Sequence, residues 1–455
     1  MSYRSLSLFT SRKHVLVILG GACLLNFAPA CGSQSGDDNG ASVGEAGSNN
    51  GSAGTGMGAG GTSASAGSSA TSGGSGVVGV SGSTSQAGST GASGATSMGG
   101  STGSSGSTSA GGSAGKGGAS GSAGASGSAG SGGCSTPPPA SPLVGWASQS
   151  GMGVTTTTGG GNATPQTVTT LAALTSAVTG TDAKVIYVTG KLAAGKIKVG
   201  SNKTIVGLCG AEIHGHLGMS GSANVIVRNL KIVGYGVGDC SLDPDYDSSV
   251  GCSSGNDAVT IDGASHHIVV DHCDISDGTD GNLDTTQGSD FVTVSWTKFH
   301  YTSRTDPTGN DSTGAEGHRF SNLVGAADNV AGDTGHLNIT WHHDWWADNV
   351  NQRMPRTRAG KIHLFNDLFT AKGDSYCSNA GQGAALLVEN TVYNGVKAPF
   401  QIDSNSVGLV SNGNTFPGSS GTETGSGSAF KPPYSYTLDA TTNLQAAIEA
   451  GAGPQ

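Results

Sequence analysis

Three acidic residues and two arginines of this chain stand at similar distances ahead of alternating apolar stretches, and a shared phase of that kind places side chains on one face. Asp257 lies 11 residues before Ile268, Asp280 and Asp284 lie 12 and 8 before Val292, and Arg353 and Arg358 lie 9 and 4 before Ile362. If the stretches stack as strands about 4.8 Å apart, the acids fall on adjacent layers and the arginines about two layers on, roughly 10 Å along the stack. Carboxylates and guanidiniums at that separation suit a sugar unit between them. Arg356 adds a cation between the two arginines. Three arginines in six residues ordinarily form a solvated surface run. The shared phase argues for a site instead, as does Pro355, which restricts the local backbone.

The elements that must hold these residues are visible as a repeat. An eight-residue frame, VIVRNLKI from Val225, recurs as IVVDHCDI from Ile268, VTVSWTKF from Val292, ITWHHDWW from Ile339, IHLFNDLF from Ile362 and LLVENTVY from Leu386. Its first and third residues are apolar, the alternation of a strand with one buried face. Successive frames begin 43, 24, 47, 23 and 24 residues apart, so one coil takes about two dozen residues and two coils carry insertions. Repetition at that period predicts an all-β solenoid, a parallel β-helix. LAALTSAV (171–178) has helical spacing and is expected to cap the first coil, and TTNLQAAIEA (441–450) to close the far end. His272 and His343 share the fifth frame position with Asn229, Asn366 and Asn390 and are expected to join a stacked hydrogen-bonding ladder. His342 and His363 are expected to point outward. Packing is expected for Trp345 and Trp346, although one of them could stack on a sugar.

Residues 1–30 carry a basic start (Arg4, Arg12, Lys13), an apolar core and Ala28-Pro29-Ala30, which reads as an export signal. Cys31 directly follows, as in a bacterial lipoprotein site, so lipid attachment to an outer-membrane surface is expected, with plain secretion as the alternative. Residues 31–139 are rich in Gly, Ser and Ala and cannot form a core. A flexible chain of about a hundred such residues spans on the order of 55 Å, enough to hold a domain clear of a membrane. Residues 140–455 then form one folded domain. The chain has a net charge of −10, which argues against nucleic acid as a partner and against simple capture of a polyanion unless a cation bridges. Nothing in the sequence calls for assembly, and a monomer is expected. The six cysteines from Cys134 onward suit disulfides in an exported chain. Cys240 and Cys252, flanking a polar insertion, are the best pair, while Cys209 and Cys273 could equally be packing thiols.

Seven motifs in order, GWAS with TTGGG, NVIVRN, VDHCDIS, DG with GSDFVTVSW, ITWHH, RMPRTRAG and IHLFND, resemble the pectate lyase branch of the pectate/pectin lyase family over residues 143–455. The resemblance implies a right-handed parallel β-helix and calcium-dependent β-elimination of polygalacturonate. It places calcium carboxylates on Asp257, Asp280 and Asp284, the catalytic arginine on Arg353 and a substrate-binding arginine on Arg358, with Arg356 an additional cation. Two positions depart from the family pattern. Gly255 stands where a further acid is common, and Phe320 where a substrate-binding lysine is common, leaving the adjacent Arg319 as its candidate replacement. The implied chemistry removes the hydrogen at C5 of a uronate and expels the C4 oxygen. Either Arg353 takes that proton, or it orients the enediolate while hydroxide does, because arginine is ordinarily protonated. Other readings of the same residues are a lyase of methyl-esterified pectin, a hydrolase with paired carboxylates, and a non-catalytic β-helix that binds polysaccharide.

Overall fold

In the computed structural model, which describes residues 136–236, 240–302 and 318–455, the eight-residue frame is one column of paired residues. Val225 pairs with Ile268, Ile268 with Val292, Val292 with Ile339, Ile339 with Ile362 and Ile362 with Leu386, all in parallel register. The 43- and 47-residue spacings therefore insert loops without shifting the ladder. The export signal, Cys31 and the chain to residue 135 lie outside the described residues.

Each full coil contributes a strand to three faces. The first face contains the frame strands, among them Ala223–Arg228, His266–Asp271, Asp290–Ser295, Asn338–His342, Lys361–Phe365 and Ala385–Glu389. The second contains short strands such as Asp274–Ser276, Lys298–His300, Trp345–Trp346 and Leu368–Phe369. The third runs through Val259–Asp262, Leu283–Thr285, Leu323–Val324, Arg356–Thr357, Ser378–Ala380 and Phe400–Ile402. The architecture is an all-β parallel β-helix, and its one antiparallel ladder among the described residues joins Gly408–Asn412 to Ser426–Gly427. Inward residues fill the core, including a stack of rings from Phe299 through Trp346, Phe369 and Tyr393 to Phe416. Trp346 is thus a core residue. Trp345 is partly exposed, beneath Lys298, with its indole N–H donated to Thr370.

The fifth and sixth frame positions divide a task that the sequence suggested for the fifth alone. Asn229, His272, Trp296, His343, Asn366 and Asn390 all have φ between +43° and +60°, the left-handed bend that turns the first face into the second and that asparagine tolerates well. Rings at this position stack: His272 on Trp296 at 5.7 Å and Trp296 on His343 at 4.4 Å. Asn366 Nδ2 also lies 3.4 Å from His343 Nε2 at this position, and a longer hydrogen-bonded ladder stands one residue further on. The backbone N–H of Thr297 donates to Asp344 (2.7 Å), that of Asp344 to Asp367 (2.9 Å) and that of Thr391 to Asn414 (2.8 Å). A sixth-position acceptor captures the N–H that the sharp bend leaves without a strand partner.

The helix Leu171–Val178 is capped by Thr170, whose hydroxyl accepts from the N–H of Ala173, and buries Leu174, Ala177 and Val178 against the first coils. The helix Thr441–Gly451 does not close the far end. Leu444 and Ile448 pack on Leu368, Val392 and Trp345 of the second face. The chain after it returns toward earlier coils, where the N–H of Gln455 donates to Asn229. The segment before it covers the first face, where His342 and His363 point outward from the coil as expected. Both project from the coil yet are 5% and 0% exposed, His363 because Tyr434 and Tyr436 lie over it. The Cys240–Cys252 disulfide is formed. Cys209 is also disulfide-bonded, while Cys273 is a buried free thiol. Among the described residues no helix is long and apolar enough to cross a membrane.

Candidate active site

The third face collects the acids. Asp257 lies two residues before Val259–Asp262, and Asp284 lies in Leu283–Thr285, whose Leu283 pairs with Val259. The inward neighbours Leu283 and Thr285 are buried, so alternation turns Asp284 to the outer side of the sheet. Asp280 reaches the same point from the turn ahead of that strand. Oxygens of the three carboxylates lie within 4.8 Å of one another. Asp277, in the same turn, is instead occupied by the N–H and hydroxyl of Thr302.

Each carboxylate is aimed by a neighbour. Thr260 donates to Asp257 Oδ2 (2.9 Å), His318 Nε2 pairs with Asp280 Oδ1 (2.8 Å), and the N–H of Leu323 donates to Asp284 Oδ1 (2.9 Å). Asp257 Oδ1 is buried with no hydrogen-bond partner among the described residues, a costly arrangement for a polar atom. Burial pushes the Asp257 carboxyl well above the usual carboxylate range, Asp284 and Asp280 push it further, and Arg353 opposes them. Burial and then the charge of Asp280 raise Asp284 to about 7. Crowded acids of this kind are relieved by a proton or a cation.

The space between them fits a cation. A Cβ at Gly281 would stand 2.8 Å from Asp257 Oδ1 and 3.1 Å from Asp284 Oδ1, so the missing side chain leaves the gap into which both oxygens point. An all-oxygen donor set with an unpartnered carboxylate oxygen suits a hard cation such as calcium. The missing acid at position 255 also has a structural reason. A Cβ there would lie 2.3 Å from Thr279 Cγ2 and 2.9 Å from Asp243 Oδ2, inside atoms already packed. Asp243 belongs to the Cys240–Cys252 loop and receives the N–H of Asn256.

The four arginines are not equivalent. Arg353 is partly exposed and left-handed at φ +62°. Its guanidinium carbon lies 4.2 Å from the centre of the Phe320 ring, and its Nε has no hydrogen-bond partner among the described residues. Arg356 points outward, paired with Leu323, whose N–H binds Asp284, so it belongs to the coil two beyond that acid. Arg358 is tied to the adjoining loop: Nη1 donates to the carbonyls of Gly325 and Ala326, and Nε lies 3.0 Å from Asp328. Arg319 is 4% exposed and gives its Nε–H to the carbonyl of Asn349. Phe320, next in sequence, takes the alternate direction and carries Arg353 instead. The structure thus brings the acids together and sets Arg353 and Arg356 beyond them, with Arg358 and Arg319 bound to backbone carbonyls. His318, Thr260 and Gly281 were not singled out by sequence reasoning. His318 follows an insertion that breaks the repeat, so no phase marked it.

Comparison with known proteins gives the family and the fold. A family model described as pectate lyase matches residues 133–454. Pectate lyase A of Aspergillus niger is 36% identical over 299 residues, covering 63% of this chain and 80% of its own length. Pectate lyase E of Dickeya chrysanthemi is 31% identical over 373 residues, covering 68% and 85%. A solved Bacillus pectate lyase in complex with trigalacturonate shares the fold, with a TM-score of 0.54 at 23% identity over 69% of this chain and 98% of that one. A family match across the whole solenoid, together with relatives aligned over most of their length, places this chain in the pectate lyase family of polysaccharide lyases.

Proposed function

We propose that this protein cleaves polygalacturonate by β-elimination, with calcium held by Asp257, Asp280 and Asp284. The observation that carries this reading is the unpartnered, buried Asp257 Oδ1 facing two further carboxylates within 4.8 Å, on the same face as Arg353. Calcium bound there would neutralise the uronate carboxylate and the enediolate charge that develops from it. Free carboxylates bind such a cation better than methyl esters, so demethylated pectate is the preferred polymer.

The chain's own residues supply positioning and proton transfer. Arg353, not held by any carboxylate among the described residues, is the group assigned to C5. The C5–H bond gives its electron pair to the C4–C5 double bond as the C4–O bond breaks, and the leaving oxygen takes a proton. No water is added, and one new chain end carries an unsaturated uronate. Arg356 offers a further cation to the uronate beyond, and Arg358 reaches substrate only by sharing its bonds with Gly325, Ala326 and Asp328. Arg319 contributes by holding the backbone of Asn349 rather than by touching sugar.

Incubation with polygalacturonate tests this directly. The expected product absorbs in the ultraviolet, its formation stops on chelation, and calcium restores it. A saturated product with new reducing ends overturns it, as does faster, calcium-independent cleavage of methylated pectin.

The same reading takes residues 1–30 as an export signal and Cys31 as a lipid-carrying cysteine. Residues 31–139 are then a tether for the catalytic domain 140–455 at the cell surface. Its support is the basic start, apolar core and Ala28-Pro29-Ala30-Cys31 run. Mass spectrometry of the mature amino terminus is expected to show a diacylglyceryl cysteine, and an unmodified Cys31 favours plain secretion.

A further inference from the structure

Phe320 is 2% exposed and so is shielded from substrate, yet its ring is the nearest partner of the side chain assigned to the reacting carbon. Three groups meet at this ring. His318, bonded to Asp280, lies against the Phe320 ring at 4.0 Å between centroids, and the Arg353 guanidinium lies over the same ring at 4.2 Å. The backbone reinforces these contacts: Phe320 pairs in parallel with Gln352, and the N–H of Asn322 donates to the carbonyl of Arg353. The carbonyl of Phe320 is fixed in turn by the hydroxyl of Tyr301 at 2.8 Å. Phe320 is therefore held from both neighbouring coils, between the carboxylate cluster and the arginine.

We infer that Phe320 is a positioning residue, a rigid aromatic shelf that sets the plane and place of the Arg353 guanidinium relative to the three carboxylates. An arginine at a site usually owes its orientation to a carboxylate that grips it bidentately. A carboxylate partner would occupy the N–H groups that a uronate needs. The face of a ring attracts the same cation through its quadrupole while leaving the in-plane N–H groups available, and the attraction grows where water is excluded. The left-handed backbone of Arg353 fits this account, because a conformation uncommon for a non-glycine residue is kept where surrounding contacts determine it. His318 extends the argument to the other end: through one ring contact the shelf also abuts the residue that aims Asp280. A single buried ring thus fixes the separation between metal-binding and proton-transferring halves of the site.

The inference rests on the assignment of Arg353 proposed above, and a double-mutant cycle separates the two. Rates on polygalacturonate at saturating calcium are measured for wild type, Phe320→Leu, Phe320→Met, Phe320→Tyr, Arg353→Lys and Phe320→Leu/Arg353→Lys. Loss of the ring face is expected to lower kcat roughly ten- to thirtyfold in the Leu and Met variants, with KM within about threefold. The Tyr variant, which keeps the ring, is expected to recover most of that loss. In the Arg353→Lys background the Leu substitution is expected to cost less than about threefold, since the guanidinium it positions is gone. Circular dichroism melts identify any variant that fails to fold, and Met, close to Phe in volume, serves where Leu leaves too large a cavity. Wild-type kcat in folded Leu and Met variants overturns the inference, and so does an equal loss in both backgrounds, which marks a general structural role. Wild-type turnover in Arg353→Lys alone overturns the underlying assignment of Arg353 and the inference with it.

Discussion

The first and third faces of this solenoid both turn titratable side chains outward, but the terminal segments treat them differently. On the first face, His363 lies under Tyr434 and Tyr436. Its ring bonds the Tyr434 hydroxyl at 2.9 Å and Glu389 at 3.2 Å, and Thr340 shares the same hydroxyl at 2.7 Å. On the third face Asp280, Arg353 and Arg356 keep partial exposure, and Asp257 has an oxygen with no partner at all among the described residues. Polar groups that satisfy one another beneath a covering segment stabilise the fold. A buried carboxylate oxygen left unmatched among the described residues, beside two further acids, retains interaction energy for a ligand.

The comparison predicts a clean division of effects. The largest belongs to Arg353→Lys, which retains charge but loses the planar fork. Turnover is expected to fall on the order of a hundred- to a thousandfold with little change in melting temperature. Steady-state kinetics beside a thermal melt check both halves of that statement, and wild-type turnover removes Arg353 from the chemistry.

Next come the carboxylates. Asp284→Asn is expected to raise the calcium needed for half-maximal rate by about a hundredfold, because ligand charge governs affinity for this cation. Gly281→Ala changes no ligand, yet its Cβ would stand 2.8 Å from Asp257 Oδ1. A shift in calcium requirement of roughly tenfold is expected there. Calcium titrations of activity read both variants, and a titration curve for Gly281→Ala that overlays wild type means that the gap is not the cation's place.

The smallest effect on rate, and the clearest on stability, is expected at the covered face. Tyr434→Phe leaves Thr340 and His363 without their shared partner, costing about 1–3 kcal/mol of stability while kcat stays unchanged. A reduced kcat at full folding would show that the covered face acts on the site. The same face governs acid tolerance. Burial holds the His342 and His363 rings below the usual histidine range, so in the unfolded chain they bind protons that the folded chain refuses. Stability from this source is complete above about pH 6.5 and is lost as pH falls below that value. Glu389, drawn down to about 2 chiefly by its bond with His363, adds a second loss as pH falls below the ordinary carboxylate range toward that value. The difference in melting temperature between wild type and a His363→Asn variant, measured from pH 8 to pH 4, is expected to be level above neutrality and to shift below it, the raised Asp257 and Asp284 carboxyls being common to both proteins, and a level difference throughout denies His363 this role.

Much of the fold was legible in the chain because a solenoid repeats a local rule. The alternation at Val225, Ile268, Val292, Ile339, Ile362 and Leu386 named the paired residues, and all five pairings follow that register. Stacking coils in register also turns a sequence offset into a position on a face, which is why offsets alone group Asp257, Asp280 and Asp284. The offset could not say how an individual side chain leaves that face. Arg353 and Arg358 share a phase, yet one rests on a ring and the other is tied to Asp328 at 3.0 Å.

Sequence by itself therefore determined the coil, its register and the acids' common edge, since each depends on residues about one repeat apart and on burying one strand face. Only the tertiary structure decided which polar groups remain unmatched. That depends on segments far away along the chain: the tail carrying Tyr434 and Tyr436, of which Tyr434 bonds His363 71 residues earlier, and the Cys240–Cys252 loop, whose Asp243 stands against Gly255. It also depends on the coil that slides Phe320 beneath Arg353. Satisfaction of a buried polar group is a property of everything packed around it, and no local period encodes that.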